Sequence, residues 1–151
     1  MKNALCLLLL FTSISGFSQT VRKTAHLNLE NKIAIQGYDP VAYFKQNKAV
    51  KGKKELASNY QGVVYYFSSK ENEAAFLKTP ANYEPQYGGW CAFAMGDYGK
   101  KVEINPETFK IVDNKLYLFY NAFFNNTLKE WNKNEKHLKE SADVNWKKIQ
   151  N

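Results

Sequence analysis

Two hairpin signatures on either side of a helix-prone middle restrict this chain to folds that mix small sheets with helices. In the first, Leu56 to Ser58 and Val63-Val64-Tyr65-Tyr66-Phe67 flank the connection Asn59-Tyr60-Gln61-Gly62. β-Branched and aromatic residues on both sides of a glycine-containing link read as two strands and a tight turn. In the second, Phe109, Ile111 and the run Leu116 to Tyr120 flank Val112-Asp113-Asn114-Lys115, where Asp113-Asn114 can take the positive backbone angles of a primed turn. Between them, Ser69 caps a short helix with Asn72 at its third position and Ala74, Ala75, Phe76 and Leu77 as its apolar side, and Thr79-Pro80 stops it. After the second hairpin, Phe124, Leu128, Trp131, Leu138 and Ala142 recur at steps compatible with one helical face, and Trp146 and Ile149 extend it. His137 lies one step off that stripe and reads as solvated. The expected fold is α+β, with a small antiparallel sheet built from hairpins, short helices, and a C-terminal amphipathic helix packed on the sheet.

The start of the chain reads as an address. Met1-Lys2-Asn3 precede an apolar run from Ala4 to Phe11, small and polar residues follow to Gln19, and Gly16-Phe17-Ser18 offers a small-x-small cleavage site. The run falls short of the roughly 20 residues that span a bilayer, so residues 1–18 are expected to be a signal peptide and the protein secreted or periplasmic. An N-terminal arm over 19–32, containing His26 in a solvated setting, then leads into a domain over 33–151, with no later segment long and apolar enough to cross a membrane. Cys6 would leave with the leader. The remaining cysteine, Cys91, has no internal partner for a disulfide, so the domain must rest on packing alone. The net charge of +7 is mostly lysine, spread over Lys45 to Lys54, Lys100-Lys101 and Lys129 to Lys148. Without one basic stripe, that distribution argues against nucleic acid and for solubility or weak attraction to anionic surfaces. No internal repeat or low-complexity segment is present.

Candidate chemistry concentrates in two stretches. From Tyr83 to Met95, Gly88-Gly89 can adopt backbone angles closed to other residues, and the aromatics around them supply walls for a pocket. From Gly37 to Phe44, Asp39-Pro40 reads as a helix start with Asp39 as cap and Pro40 at the first position, or else Asp39 is a ligand contact. Tyr38, Tyr43, Tyr66, Tyr87 and Trp90 can line a small-ligand pocket with Asp39 at its rim, or simply fill a core. Cys91 and Met95 stand four residues apart. If Cys91 to Met95 is helical, as Ala92, Ala94 and Met95 favour, both sulfurs share a face, a pair suited to a soft transition metal such as cuprous copper and poorly suited to zinc. The same spacing also describes an inward-facing apolar stripe. A thiol-dependent redox role would use Cys91 beside a helix start. A metal ion or a small molecule is therefore the expected partner, a purely structural envelope role is the alternative, and no Ser-His-Asp, Walker, Rossmann or paired-histidine pattern supports catalysis.

Gly37-Tyr38-Asp39-Pro40-Val41-Ala42-Tyr43-Phe44, Tyr65-Tyr66-Phe67-Ser68, Phe76 with Pro80 and Tyr83, and Gln86-Tyr87-Gly88-Gly89-Trp90-Cys91-Ala92 occur in an order and spacing that resembles the YHS domain family, in its exported single-domain bacterial form. The resemblance spans roughly residues 33 to 121. Members fused to metal-transporting ATPases, and the related metal-sensing TRASH domains, carry cysteines after the Asp-Pro-Val and Tyr-Tyr-Phe motifs, and these are thought to bind metal. Ala42 and Ser68 occupy those positions here, and neither can replace a thiolate on a soft metal. The exported form is similar instead in the cysteine after the glycine pair, matched by Cys91. The resemblance thus implies a fold and a binding role without a mechanism.

Overall fold

The computed structural model describes residues 24–151. The leader expected over residues 1–18, with Cys6, lies outside them. After a 3-10 turn at Thr24–His26 come β1 (Leu29–Glu30) and β2 (Ile33–Ala34), then helix α1 (Pro40–Gln46) and the hairpin β3 (Lys53–Tyr60) and β4 (Val63–Phe67). Helices α2 (Lys70–Lys78) and α3 (Ala92–Asp97) lead to the hairpin β5 (Asn105–Val112) and β6 (Lys115–Phe119). A short hairpin, β7 (Asn121–Ala122) and β8 (Asn125–Asn126), precedes helices α4 (Thr127–Lys133) and α5 (Glu135–Gln150). The architecture is α+β, and no described helix is long and apolar enough to cross a membrane.

Local chemistry accounts for most of these boundaries. Gln61 (φ 50°) with Gly62 (φ 81°), and Asp113 (φ 51°) with Asn114 (φ 56°), make the two primed turns that both hairpins require. Ser69 caps α2 by accepting from Asn72 N at 3.2 Å. The main sheet is not purely antiparallel. Its order is β1-β2-β4-β3, with β2 running parallel to β4 at Ile33↔Val64, an alignment reinforced by Val64 N donating to Lys32 O at 2.9 Å. Residues ahead of Gly37 thus join the sheet edge that the hairpin leaves open.

The apolar series from Phe124 to Ala142 is not one helix. Phe124 lies at the tip of the β7–β8 hairpin with φ 65°. Asn126 caps α4 by accepting from Leu128 N at 3.1 Å, and the chain breaks again at Asn134 before α5. Asparagine offers the backbone a local hydrogen-bonded alternative to helix, which a count of apolar periods does not register. The remaining stripe packs as expected: Leu128 and Trp131 from α4 join Leu138, Ala142 and Trp146 from α5 against Tyr117 and Phe119 of β6.

Helix α3 stands between two apolar clusters. Cys91 and Ala94 belong to the one built around Val41, Tyr43, Val63, Phe67 and Phe76, whereas Ala92 and Met95 belong to the one built around Tyr117, Trp131 and Leu138. Its approach to α5 is set by Gly96, where an added Cβ would stand 2.4 Å from Leu138 O. Asn145 fastens the same crossing by donating to Met95 O at 2.9 Å.

Candidate functional site

Tyr87, Gly88 and Gly89 all lie in the left-handed region, at φ 54°, 62° and 84°, and Trp90 N closes the turn onto Tyr87 O at 3.2 Å. A similar turn occurs at Ile35, Gln36 and Gly37, closed by Tyr38 N onto Ile35 O at 2.9 Å. For a tyrosine this geometry costs about 1–2 kcal/mol relative to ordinary backbone, and such strain persists only where the surroundings over-determine it. Here they do. Asn28 N donates to Gly88 O at 2.8 Å, Asn28 Nδ2 to Gly89 O at 3.2 Å, and Trp90 Nε1 to His26 O at 2.7 Å. Gly88 is the tightest point, since a Cβ there would meet the Trp146 ring at 2.8 Å and Leu27 at 3.0 Å.

Holding the turn this way leaves an open cleft of about 870 Å³ between it and α5, with His26, Pro85, Tyr87, Trp146 and Lys147 among its walls. Two acidic side chains in the lining are engaged by tyrosine hydroxyls: Tyr87 donates to Asp143 at 2.9 Å, and Tyr65 donates to Glu84. Lys147 enters no ion pair among the described residues. The cleft therefore offers the indole of Trp146 packed against Gly88, two carboxyl groups that accept from phenols, and Lys147, which makes no ion pair among the described residues.

Burial pushes the Tyr87 phenol well above its usual range, and the Asp143 charge and hydrogen bond push the same way. Burial raises Tyr43 likewise, helped by Tyr38, Asp39 and Glu107, and Tyr117 is raised by burial despite Lys139. A raised folded-state value means that the associated stability is fully present below the unfolded phenol value of about 10 and is lost as pH rises above it. Alkaline titration followed by phenolate absorbance and circular dichroism should therefore show a block of tyrosines ionising only as structure is lost. Ionisation of all ten tyrosines near the free-phenol value with the fold intact would contradict this.

The structure separates the other site residues expected from sequence. Asp39 is fully buried, away from any cleft rim. Its Oδ1 accepts from Val41 N (2.9 Å) and Ala42 N (3.3 Å), and its Oδ2 from Ser68 N (2.8 Å), Ser68 Oγ (2.6 Å) and Asn72 Nδ2 (2.7 Å). Tyr43 is buried and donates to Pro106 O at 2.9 Å, while Tyr38 is half-buried and reaches Glu107 at 3.4 Å. Tyr66 packs beside Gly37, on that side of the sheet. Gly89 and Trp90 support the turn, and His26 lines the cleft while its carbonyl takes the Trp90 indole. His137 is exposed on α5. Asp143, Trp146 and Lys147 were not singled out as site residues by their sequence, because on an amphipathic helix they read only as one apolar position between two polar ones.

Cys91 and Met95 are both completely buried. Tyr120 N donates to Cys91 Sγ at 3.3 Å, and Sγ lies 3.4 Å from Thr127 Oγ1, whose own proton is directed at Tyr120 O at 2.9 Å. In that arrangement the thiol is the donor to Thr127, and the sulfur is tied into the junction of β6 with α4.

Residues 41–87 match the family model of the YHS domain. The chain carries a YHS domain. No curated protein and no solved structure matches the chain. The matched part of the YHS domain runs from the helix that Asp39 caps to the first residue of the left-handed turn, so Asp143, Trp146 and Lys147, which form the far wall of the cleft, lie outside it. Ala42 and the hydroxyl of Ser68 take the two cysteine positions, that hydroxyl is committed to Asp39, and no three His, Cys, Asp or Glu side chains converge among the described residues.

Proposed function

We propose that the protein is a non-catalytic binding module that takes a small aromatic or planar organic anion into the cleft between the Tyr87-Gly88-Gly89 turn and α5. The observation that carries this reading is the strained turn itself. It holds Gly88 against the Trp146 ring so that turn and indole together wall the cleft, and such strain concentrates at ligand clamps. The lining gives the class of ligand. Trp146 supplies an aromatic wall and Lys147 a cation in no ion pair among the described residues, whose pull on an anion must outweigh the negative charges that Asp143 and Glu84 keep while accepting from phenols. Against this, the thiol-redox and Cys91–Met95 metal readings both require a sulfur with no exposure to leave its partners.

Equilibrium titration with 2-naphthoate, with 2-naphthylmethylammonium as the cationic control, tests the proposal. The acid should bind and the ammonium should bind far more weakly, and Lys147→Ala should weaken the acid by about tenfold, the size of one charge-assisted contact. Equal binding of both probes, or a Lys147→Ala protein that binds the acid unchanged, would sink it. Export forms part of the same proposal and is supported by the apolar run over residues 4–11 and the Gly16-Phe17-Ser18 site. The protein recovered from its host should begin near Gln19, and recovery with Met1 retained would refute export.

A further inference from the structure

The short hairpin β7–β8 carries phenylalanine at both turn positions. Phe123 (φ 50°) and Phe124 (φ 65°) both occupy left-handed backbone, and they are 91% and 111% exposed. A two-residue primed turn strongly prefers Asn-Gly or Asp-Gly. Two bulky aromatic residues here run against backbone preference and gain no packing among the described residues. The other two-residue hairpin turns are Asn31-Lys32, Gln61-Gly62 and Asp113-Asn114, none with an aromatic residue.

We propose that the Phe123-Phe124 tip inserts into the interfacial region of an anionic phospholipid bilayer. The surroundings of the tip favour a lipid surface over a protein pocket. From Leu116 to Leu128 the sequence contains no charged residue, in a chain that is 23% charged, so lowering the tip into a membrane interface desolvates no ion. Asn125 flanks the turn with an exposed uncharged hydrogen-bonding side chain suited to headgroup depth, while Asn121 and Asn126 brace the hairpin through Thr108 Oγ1 and Leu128 N. Each arm of the hairpin is only two residues long, and it stands about 7 Å tall at the usual strand rise. That matches the roughly 5–10 Å to which interfacial apolar groups bury. The net charge of +7, which is +6 once Lys2 leaves with the leader, complements an anionic surface, and on α4 the exposed Lys129 is followed by Glu130, itself paired with Lys133. The acidic residue on the neighbouring β5 strand, Glu107, lies 3.4 Å from the Tyr38 hydroxyl. Two aromatic side chains with weak electrostatic support give reversible attachment, as expected of a peripheral protein.

The test is sedimentation of the full chain with vesicles of phosphatidylglycerol and phosphatidylcholine, compared with phosphatidylcholine alone. The paired substitution Phe123→Asn with Phe124→Gly installs the residues that the turn prefers, so the fold should be retained, with an unchanged or higher melting temperature. Partitioning onto the anionic vesicles should fall by at least about tenfold in that variant. It should also fall when salt is raised from about 0.1 M to about 1 M, which shortens the screening length to roughly 3 Å. Failure of the unsubstituted protein to bind anionic vesicles, or equal binding by the folded variant, overturns the proposal. Concentration-dependent self-association that the variant abolishes, without vesicle binding, overturns it in favour of a second copy of this chain.

Discussion

Removing the Asp39 carboxyl by Asp39→Ala should lower the unfolding free energy by about 4 kcal/mol, a large share of the roughly 5–15 kcal/mol typical of a domain. An ordinary helix cap contributes about 1 kcal/mol, and Ser69→Ala, which removes the α2 cap, should behave that way. Asp39 differs because its two oxygens collect five donors from three places: the start of α1, the residue following β4, and the buried Asn72 side chain on α2. Alanine leaves several of these donors buried without partners, at about 1–3 kcal/mol each before relaxation. Asp39→Asn restores the volume but turns an amide NH2 towards groups that are themselves donors, so it should recover little. Urea unfolding of the three variants is the measurement. If Asp39→Ala and Ser69→Ala cost the same, Asp39 is only a cap.

Gly96→Ala should be nearly as damaging, by about 3 kcal/mol or more, for a different reason. No polar group is lost. The added methyl would stand 2.4 Å from Leu138 O and 3.0 Å from Leu138 C, and backbone cannot rotate aside as a side chain can. Relief requires α3 and α5 to separate, which would disturb Met95, Ala142 and Trp131 in their shared cluster and stretch the Asn145 to Met95 hydrogen bond of 2.9 Å. Alanine normally favours helix over glycine by about 1 kcal/mol, so a stabilised Gly96→Ala protein would show that the helices do not approach this closely.

Elements governed by local chemistry were legible in the sequence. Asp39-Pro40, Ser69 to Asn72, the Asp113-Asn114 turn and the helix after Cys91 each carry their signal within a few residues, and each forms as expected. Where several local structures satisfy the same pattern, the reading failed. Phe124 fits the spacing of a helical face, yet Asn125-Asn126 divert the chain into a hairpin and a new cap. Of the two dense aromatic stretches, only Gly88-Gly89 was legible as a place where the backbone is unusual, and the left-handed turn at Ile35, Gln36 and Gly37 was not. What both stretches face depends on contacts across the chain, so sequence alone could not place Tyr43 and Asp39 in the core and Tyr87 and Gly88 on a cleft. The cleft's second wall, at Asp143, Trp146 and Lys147, is separated from its first by the whole β5 to α4 segment.

The most direct measurement of the proposed binding site is the set of indole N–H resonances during titration with 2-naphthoate. Trp131 donates to Glu135 at 3.1 Å within a buried cluster, Trp90 donates to His26 O at 2.7 Å behind the turn, and Trp146 forms a wall of the cleft. The Trp146 signal should move in a saturable way, Trp90 should respond weakly through the turn, and Trp131 should stay fixed. A Trp146 resonance that does not move at saturating probe, or one that moves no more than that of Trp131, would contradict a ligand seated in the cleft beside Trp146.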